Sequence, residues 1–507
     1  MDDPRTRSAP DKHEPYSLAM AVAGTDELSA PVPTQTSRDR LPWRLAALAM
    51  RAYWLWPALL MLAAAGYRLG TPSLWADELA TWGAVRLRWG QLFHLVGNVD
   101  AVVAPYYVMT KAWAALAGTS AAALRMPSVL AMVGSAALVA ILGARLHSRW
   151  VGLLAGLIFA LAPTTSRYAQ EARPYSFAIL FAIVATLLLT WFVERPAVGT
   201  GLAYALAVAL LAAFHVIGLL LLLAHGLAAR GRRKAWALWA GIGVLPVLPL
   251  MWLGYRQRDQ VRWIPPPSMH IVLGTPDVIF VSAGVGGALV ALGLLAFARR
   301  PNAMLLVTWA LVPAVALAVI GQFAPLFYAR YLLFVVPAWV LLAALTLDRL
   351  PRAHALAVVV GLALLGAPTQ NGIRAGNGHP TASADAGKII AANDLPGDAI
   401  AYQLGDTAPW EARDVVSRYV PADRRPLDVF QVTPQRLSGR LAATECADLA
   451  ACLDRADPAR MWILRKDAHA DPLQGIGSAK ENLLRTRYRL SRLWLVRGMT
   501  IALYVRG

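Results

Sequence analysis

The stretch AILFAIVATLLLTWFV, residues 178–193, and a second stretch at residues 202–229 contain no Asp, Glu, Lys or Arg. Uncharged apolar segments of this length are typical of helices that cross a bilayer. Over all 507 residues the chain is 57% hydrophobic and 15% charged, against roughly 45–50% and roughly 25% in soluble domains. The sequence therefore predicts a mainly α, polytopic helical membrane protein and argues against an ordinary soluble enzyme.

Hydropathy predicts eleven spans and a definite orientation. The spans lie near residues 52–69, 122–144, 150–164, 174–193, 199–213, 214–229, 235–253, 277–298, 303–322, 331–348 and 354–370. Arginines 38, 40, 44 and 51 precede the first span, so the positive-inside rule places the N-terminus in the cytoplasm. Each predicted inner loop then carries at least one arginine. Topology thus accounts for the net charge of +18, and we expect no nucleic acid partner.

Composition divides the chain into three predicted domains. Residues 1–40 are rich in proline and mixed charges, which predicts a disordered cytoplasmic tail. Residues 41–370 form the transmembrane domain. Residues 371–507 are polar and are expected outside the membrane on the extracytoplasmic side. Strand-like segments near 399–404, 427–432, 461–465, 493–496 and 500–505 predict a small α/β domain there.

The chain has two cysteines, Cys446 and Cys452, which are six positions apart in the polar C-terminal region. Two cysteines are too few for a four-cysteine zinc site. In an oxidising compartment they would form a disulfide that closes a small loop, which is the prediction here. The alternative is a pair of free thiols.

Acidic residues are few and lie mostly on one side of the predicted membrane domain. Between residues 41 and 370 the acidic positions are Asp77, Glu78, Asp100, Glu171, Glu194, Asp259, Asp277 and Asp348. All but Glu194 and Asp348 fall on the predicted outer side. Charged groups near hydrocarbon are costly, so a one-sided collection of them indicates a functional site. The alternative is that wet outer loops simply tolerate carboxylates.

Asp77 and Glu78 form an adjacent pair directly after the first span, in aromatic and apolar surroundings. Two neighbouring carboxylates can divide their roles, because mutual repulsion and desolvation favour a proton on one of them. One could then accept a proton from an attacking hydroxyl. The pair could equally stabilise the N-terminus of an amphipathic helix over residues 79–95. Both interpretations can hold together.

Three basic residues on the outer side are candidate anion contacts. Lys111 is the single charge of a predicted interfacial helix over residues 105–117, although a lone lysine there can simply snorkel to water. Arg173 precedes Pro174, which is expected to begin the next helix, and a helix N-terminus favours anions. Arg330 lies at the outer start of a later span. Both arginines could instead contact lipid headgroups. His215, inside an apolar run, is expected to be buried and hydrogen-bonded.

Four short motifs resemble one family, the membrane glycosyltransferases of the GT-C fold, which use polyprenyl-phosphate sugars. Its members include protein O-mannosyltransferases and bacterial lipid A aminoarabinose transferases. The motifs are Trp75-Ala76-Asp77-Glu78; Asp100 with Pro105, Tyr106 and Tyr107; Gln170-Glu171-Ala172-Arg173-Pro174-Tyr175; and Tyr328-Ala329-Arg330-Tyr331. The resemblance covers about residues 52–350. It departs from the family at the second motif, where the family has an acidic residue close to two prolines and this chain keeps only Pro105.

The resemblance implies a role for each matching residue. Asp77 corresponds to the base that activates the acceptor hydroxyl, with Glu78 and Asp100 as supporting carboxylates at the catalytic centre. The implied substrate-binding and phosphate-binding residues are Lys111, Tyr106, Gln170, Glu171, Arg173, Tyr175, Arg330 and Tyr331. The implied reaction moves a sugar, with mannose as one candidate, from a polyprenyl-phosphate donor to a protein, lipid or polysaccharide acceptor. Direct displacement would invert the anomeric carbon, and the site would open at the outer face of a plasma membrane.

Cofactors and alternative functions complete the hypothesis. Adjacent carboxylates can bind a divalent cation, but the acids are few and basic groups can serve the phosphate, so no obligatory metal or other cofactor is expected.

A transporter or lipid flippase would also be polytopic. Transporters tend to show inverted repeats and interrupted helices, and neither is evident in the sequence. A scaffold protein would instead leave Asp77, Glu78 and Arg173 pointing apart.

Overall fold

A computed structural model describes residues 50–299, 303–403 and 408–507; the predicted disordered tail lies outside these ranges. The helices are α1 Leu55–Gly66, α2 Ala76–Arg86, α3 Trp89–Asn98, α4 Ala104–Ala117, α5 Ala121–Leu146, α6 Arg149–Leu161, α7 Pro163–Ala169, α8 Tyr175–Glu194, α9 Val198–Phe214, α10 Leu221–Ala228, α11 Arg233–Val244, α12 Leu248–Arg256, α13 Met269–Leu273, α14 Thr275–Phe280, α15 Ala283–Arg299, α16 Met304–Ile320, α17 Val336–Leu347, α18 Arg352–Ile373, α19 Ser383–Asn393, α20 Glu411–Tyr419, α21 Leu449–Ala456 and α22 Ser478–Arg487. The fold is mainly helical, as predicted.

Apolar helices coincide with all eleven predicted spans. Within the described ranges, five helical segments are long and apolar enough to cross a membrane, and two bent helix pairs raise that number to seven. The five are Ala121–Leu146, Tyr175–Glu194, Arg233–Arg256, Ala329–Leu347 and Arg352–Ile373. Shorter apolar helices α1, α9 and α16, with the segment Val216–Ala228, fall on the remaining predictions. The chain is a membrane protein, and the number of crossings stays a prediction.

Two apolar segments are interrupted, which the sequence analysis did not find. Helices α6 and α7 meet at an angle of 61°, and the segment Met269–Phe280 meets Ala283–Ala298 at 102°. Pro163 begins α7, where its missing N–H ends the hydrogen-bond ladder of α6. Val281 lies in the left-handed region at φ 59° and ends α14. The first break lies at the end of the span predicted over residues 150–164, where polar residues follow Pro163, whereas Val281 is an apolar residue that gives no such signal.

The C-terminal region contains the expected small sheet. Its strands are β1 Ala399–Tyr402, β2 Leu427–Asp428, β3 Gln431–Thr433, β4 Thr444–Glu445, β5 Arg460–Lys466, β6 Tyr488–Val496 and β7 Met499–Arg506. The five-stranded sheet has the order β2-β1-β5-β7-β6, and β3 pairs with β4 in a separate ribbon. Strand β1 is parallel to β2 and β5, whereas β7 is antiparallel to β5 and β6. Cys446 and Cys452 form a disulfide, with Cα atoms 6.6 Å apart.

Helices α2, α3 and α4 lie between the first two apolar helices and contact the C-terminal sheet region. The predicted helix over residues 79–95 is in fact two helices, because the backbone is extended at Leu87 and Arg88. The buried side chains of Leu79 and Trp82 on α2 share one hydrophobic cluster with Trp462 of β5. Residues 50–507 accordingly form one compact unit.

Candidate active site at the start of helix α2

Asp77 and Glu78 begin the first turn of α2, after Trp75 in an extended conformation. Successive helical residues point about 100° apart, so the two carboxylates enter different environments. The side chain of Asp77 is 18% exposed, whereas that of Glu78 is fully buried. The two adjacent acids therefore do different work.

Glu78 is held in a buried network. Its two carboxylate oxygens accept hydrogen bonds from Nε and Nη2 of Arg125, each at 2.7 Å, and the backbone N–H of Ala172 donates to Oε1 at 2.9 Å. His379 Nδ1 lies 3.1 Å from Oε2. Burial alone would raise the pKa of Glu78, but the charge and hydrogen bonds of Arg125 outweigh burial and hold that pKa well below its ordinary value. Glu78 thus remains an ionised anchor for α2.

Asp77 instead faces two arginines from distant parts of the chain. Its Oδ2 atom lies 3.0 Å from Nη2 of Arg330 and 3.9 Å from Nε of Arg173. The three side chains are 13–18% exposed, so water is largely but not wholly excluded. Guanidinium groups bind both carboxylates and phosphates through forked hydrogen bonds. One carboxylate and two cations therefore share a partly enclosed site.

Aromatic rings surround the Arg330 guanidinium. Its Cζ atom lies 4.6 Å from the ring centre of Tyr328, 5.3 Å from that of Trp75 and 5.7 Å from that of Tyr175. Such cation–π contacts fix the plane of a guanidinium while leaving its donors available to an anion. The neighbouring ring of Tyr331 is 5.5 Å from that of Tyr328. The fourth sequence motif and Tyr175 thus shape one wall of the site.

His215 lies behind this wall, with its ring centre 5.8 Å from that of Tyr175 and 5.5 Å from that of Tyr331. It is buried, as expected, at the break that follows α9. Its Nδ1 atom has no hydrogen-bond partner in the part of the chain that the structure describes, and the expected hydrogen bond of the ring stays a prediction. Charges of Arg330 and Arg173 act on this imidazole, so His215 belongs to the surroundings of the site.

Asp100 lies within electrostatic reach of Arg173 and Asp77. The Tyr107 hydroxyl donates to its Oδ2 at 2.8 Å. Burial raises the pKa of Asp100 above its ordinary value, against the opposing effects of Arg173 and of the tyrosine. Its backbone is left-handed at φ 59°, and its N–H donates to Gln260 Oε1 at 3.1 Å. The structure therefore brings Asp100 near the Asp77 site despite the altered second motif.

Four predicted binding residues have structural contacts instead of contacts to Asp77. Lys111 donates to the carbonyl oxygens of Val85, at 3.1 Å, and Leu87 at the opposite end of α2. The side-chain amide of Gln170 donates to the Ala65 and Tyr67 carbonyls, both at 2.8 Å. The Oε2 atom of Glu171 lies 2.7 Å from Nη1 of Arg167. Tyr106 is fully buried, and its ring centre lies 6.2 Å from that of Phe177. They support the segments that carry Asp77 and Arg173.

Sequence reasoning missed the residues that hold α2. No sequence motif assigned a role to Arg125 or to His379. Burial lowers the pKa of His379 to about 3, so this ring is a neutral hydrogen-bonding group. An arginine inside the apolar helix α5 was a usable signal, since an unpaired charge at such a position is costly.

Metal ligation finds no support in the described ranges, where no group of three or more His, Cys, Asp or Glu side chains could hold a metal ion. Asp77, the carboxylate beside Arg173 and Arg330, already faces the two positive charges of these arginines. The absence of a metal requirement stays a prediction.

The apolar helices, the helices α2, α3 and α4 and the C-terminal sheet together define a membrane protein of the GT-C fold. Two crystal structures of ArnT from Cupriavidus metallidurans are similar to this chain, one bound to undecaprenyl phosphate and one in the apo state. Their TM-scores are 0.54 and 0.53, with 14% and 16% identity; each alignment covers 91% of this chain and 98% of the ArnT chain. No protein-family model and no curated protein matches the sequence. At this identity the likeness establishes the fold.

Proposed function

We propose that this protein is a glycosyltransferase that moves a sugar from a polyprenyl-phosphate donor to an acceptor hydroxyl or amine at the membrane surface. The observation that carries the proposal is the position of Asp77 between Arg330 and Arg173, at 3.0 and 3.9 Å. A base beside two cations is the set of groups that such a transfer needs. The likeness to an ArnT structure that binds undecaprenyl phosphate supports the choice of donor.

The chemistry is a single displacement at the anomeric carbon. The acceptor oxygen or nitrogen forms a bond to that carbon as the bond from carbon to the phosphate oxygen breaks. The carboxylate of Asp77 takes the acceptor proton, and the lipid phosphate leaves with the bonding electrons. Arg173 and Arg330 stabilise the charge that develops on this phosphate. Attack from the face opposite the leaving group inverts the anomeric configuration.

Donor binding would also prepare the base. While the site is empty, Arg330 neutralises Asp77 through their 3.0 Å contact. A bound phosphate competes for the same guanidinium donors, which frees carboxylate lone pairs for the acceptor proton. The aromatic rings around Arg330 keep its guanidinium in place during this exchange of partners. Asp77 would therefore become an effective base once the donor is bound.

The proposed orientation places the site and the C-terminal region outside the cytoplasm, in a plasma membrane. Arginine in each predicted inner loop supports it. The Cys446–Cys452 disulfide supports it too, because disulfides persist in oxidising compartments. The donor then reaches the site from the outer leaflet, with mannose as one candidate sugar and a protein, lipid or polysaccharide as acceptor. Thiol labelling from outside the cell tests this orientation. A single cysteine introduced at residue 259 should react, and one introduced at residue 349 should not.

The test of function compares two aspartate variants in purified full-length protein, with a labelled polyprenyl-phosphate sugar and a crude envelope fraction as acceptor. Asp77→Asn is expected to lower transfer on the order of 10²- to 10⁴-fold, the usual contribution of a general base. Asp259→Asn is the matched control, because that carboxylate is 69% exposed and forms a surface salt bridge with nearby Arg262 at 3.1 Å. Full transfer by Asp77→Asn would refute the assignment. Donor translocation by both variants without transfer would favour the transporter alternative.

A further inference from the structure

Arg436 joins the C-terminal region to the helix that carries Asp77. It lies between β3 and β4 and is 3% exposed, and its Nη2 atom donates to the Leu79 carbonyl of α2 at 3.4 Å. A Cβ atom added at Gly83 would lie 2.2 Å from the Arg436 Cζ atom. The guanidinium therefore occupies space that only a glycine at position 83 leaves open.

Neighbouring groups fix Arg436 in a costly arrangement. Its backbone is left-handed at φ 71°, a region that is unfavourable for residues with a side chain. Its guanidinium forms a two-pronged ion pair with Asp414, which is 2% exposed, and Gln435 donates to the same carboxylate at 2.9 Å. Burial of both charges costs desolvation energy. Local strain of this kind persists where surrounding contacts over-determine the geometry, and it often marks functional positions.

The same C-terminal region also holds the N-terminal end of α2. Trp410 Nε1 donates to the Ala76 carbonyl at 2.8 Å, and the backbone N–H of Leu74 donates to the Tyr419 hydroxyl at 2.8 Å. These contacts lie directly before Asp77 in the chain, while Arg436 fixes the helix after it, at Leu79 and Gly83. Gly83 is six residues after Asp77, or about 9 Å along the helix axis. The C-terminal region therefore holds α2 on both sides of the Asp77 turn.

We propose that Arg436 is a positioning residue, which seats α2 so that Asp77 meets Arg173 and Arg330 at the right distance. The inference rests on the proposed function and deepens it, because it gives the C-terminal region a part in catalysis. Arg173 and Arg330 belong to other segments of the chain. A shift of α2 would therefore displace the base relative to Arg330. Hydrogen bonds between the Ala172 backbone and the side chains of Glu78 and Thr81 tie the helix to the segment of Arg173.

Gly83→Ala is the most direct test. The added methyl group must displace the Arg436 guanidinium, and a cavity of about 320 Å³ that both residues line gives it room, so the variant is expected to fold. Alanine also favours helix over glycine, so intrinsic weakening of α2 cannot explain a loss. We expect kcat to fall on the order of tenfold to hundredfold, as for misplacements of about 1 Å, with an unchanged KM for the donor. Gly90→Ala on α3 is the matched control, because among the described residues no atom lies within 4 Å of its added methyl group.

A double-variant cycle separates positioning from general damage. Arg436→Gly keeps the left-handed backbone accessible and removes the guanidinium. If the two residues act through their contact, adding Gly83→Ala to Arg436→Gly causes no further loss of kcat. A second measurement requires no turnover. Hydrogen exchange of the α2 amides should be faster than in wild type in both single variants and unchanged in Gly90→Ala.

Two outcomes would overturn the inference: a Gly83→Ala variant that matches Gly90→Ala in kcat and exchange, or kcat losses that multiply in the double variant. Full transfer by Asp77→Asn overturns the proposed function instead. Hydrogen exchange in α2 still reports whether Arg436 seats the helix in that case. The failure of one proposal is therefore distinguishable from the failure of the other.

Discussion

Glu78→Gln is expected to destabilise the protein, although it lies next to the proposed base. The change leaves the Arg125 guanidinium fully buried without its countercharge. Arg125 keeps its hydrogen bonds to the carbonyls of Leu69, at 2.8 Å, and Pro72, at 3.0 Å. It loses one or both of its charge-assisted bonds to position 78, each worth about 1.5–3 kcal/mol. Breaking one partner of a buried ion pair costs about 3–5 kcal/mol, which agrees with that count.

The pH dependence of stability provides a second signature of Glu78. Its folded-state pKa lies below the ordinary value of 4.5, so its contribution is fully present above that value. The contribution is lost as pH falls below about 4.5, because protons then bind the unfolded state preferentially. Glu78→Gln removes the titrating group. We therefore expect the variant to lose stability less steeply than the wild-type protein on acidification.

The assay compares thermal inactivation and unfolding of the purified protein in detergent, where unfolding is expected to be irreversible and rates are the proper measure. Asp77→Asn is the matched variant, since it makes the same chemical change one residue away at a partly exposed carboxylate. We expect Glu78→Gln to unfold much faster than wild type and Asp77→Asn, which is compared by unfolding alone because it transfers little sugar, to unfold at close to the wild-type rate. If Glu78→Gln is as stable as wild type yet does not transfer sugar, Glu78 acts in catalysis and the anchoring role is wrong.

Four further outcomes follow from the site and its surroundings. Arg330→Lys should raise the donor KM, because an ammonium group reproduces neither the forked hydrogen bonds of a guanidinium nor its stacking on aromatic rings. An unchanged donor KM would exclude Arg330 as a phosphate contact. Lys111→Met should leave the donor KM unchanged and cost about 1 kcal/mol of stability, since Lys111 binds carbonyls at the end of α2; a large rise in the donor KM would restore Lys111 as a phosphate ligand. Reduction of the Cys446–Cys452 disulfide should lower stability by about 2 kcal/mol without affecting kcat. Unfolding and turnover measured with and without reductant check this prediction. Chelation with EDTA should leave activity intact, and restoration of lost activity by magnesium would contradict this.

Much of the fold and part of the site were predictable from the sequence. Long apolar segments fix helices locally, so their positions needed no tertiary information. The meeting of Asp77 with Arg173 and Arg330 was predictable because positive-inside topology and the family motifs both put these residues on one membrane face. Their catalytic roles stay predictions.

The contacts that hold α2 could not be predicted in the same way. Glu78 and Asp77 are chemically alike, and only the rotation of α2 decides which of them meets Arg125. Lys111 lies 24 residues after Leu87 in the chain, and its contact with the Leu87 carbonyl at the end of α2 depends on how α4 packs. Pro163 marks its helix break in the sequence, whereas the apolar Val281 carries no such signal.

The long sequence separation between α2 and its supports has a consequence for biogenesis. Ala76 is synthesised 334 residues before Trp410, the side chain that binds its carbonyl. The acidic helix is therefore synthesised long before this support, and Arg125 is its earlier partner. A nascent chain that stalls before Trp410 emerges would hold the acid and its arginines without the support that fixes their spacing, so the site matures only after Trp410 has been synthesised.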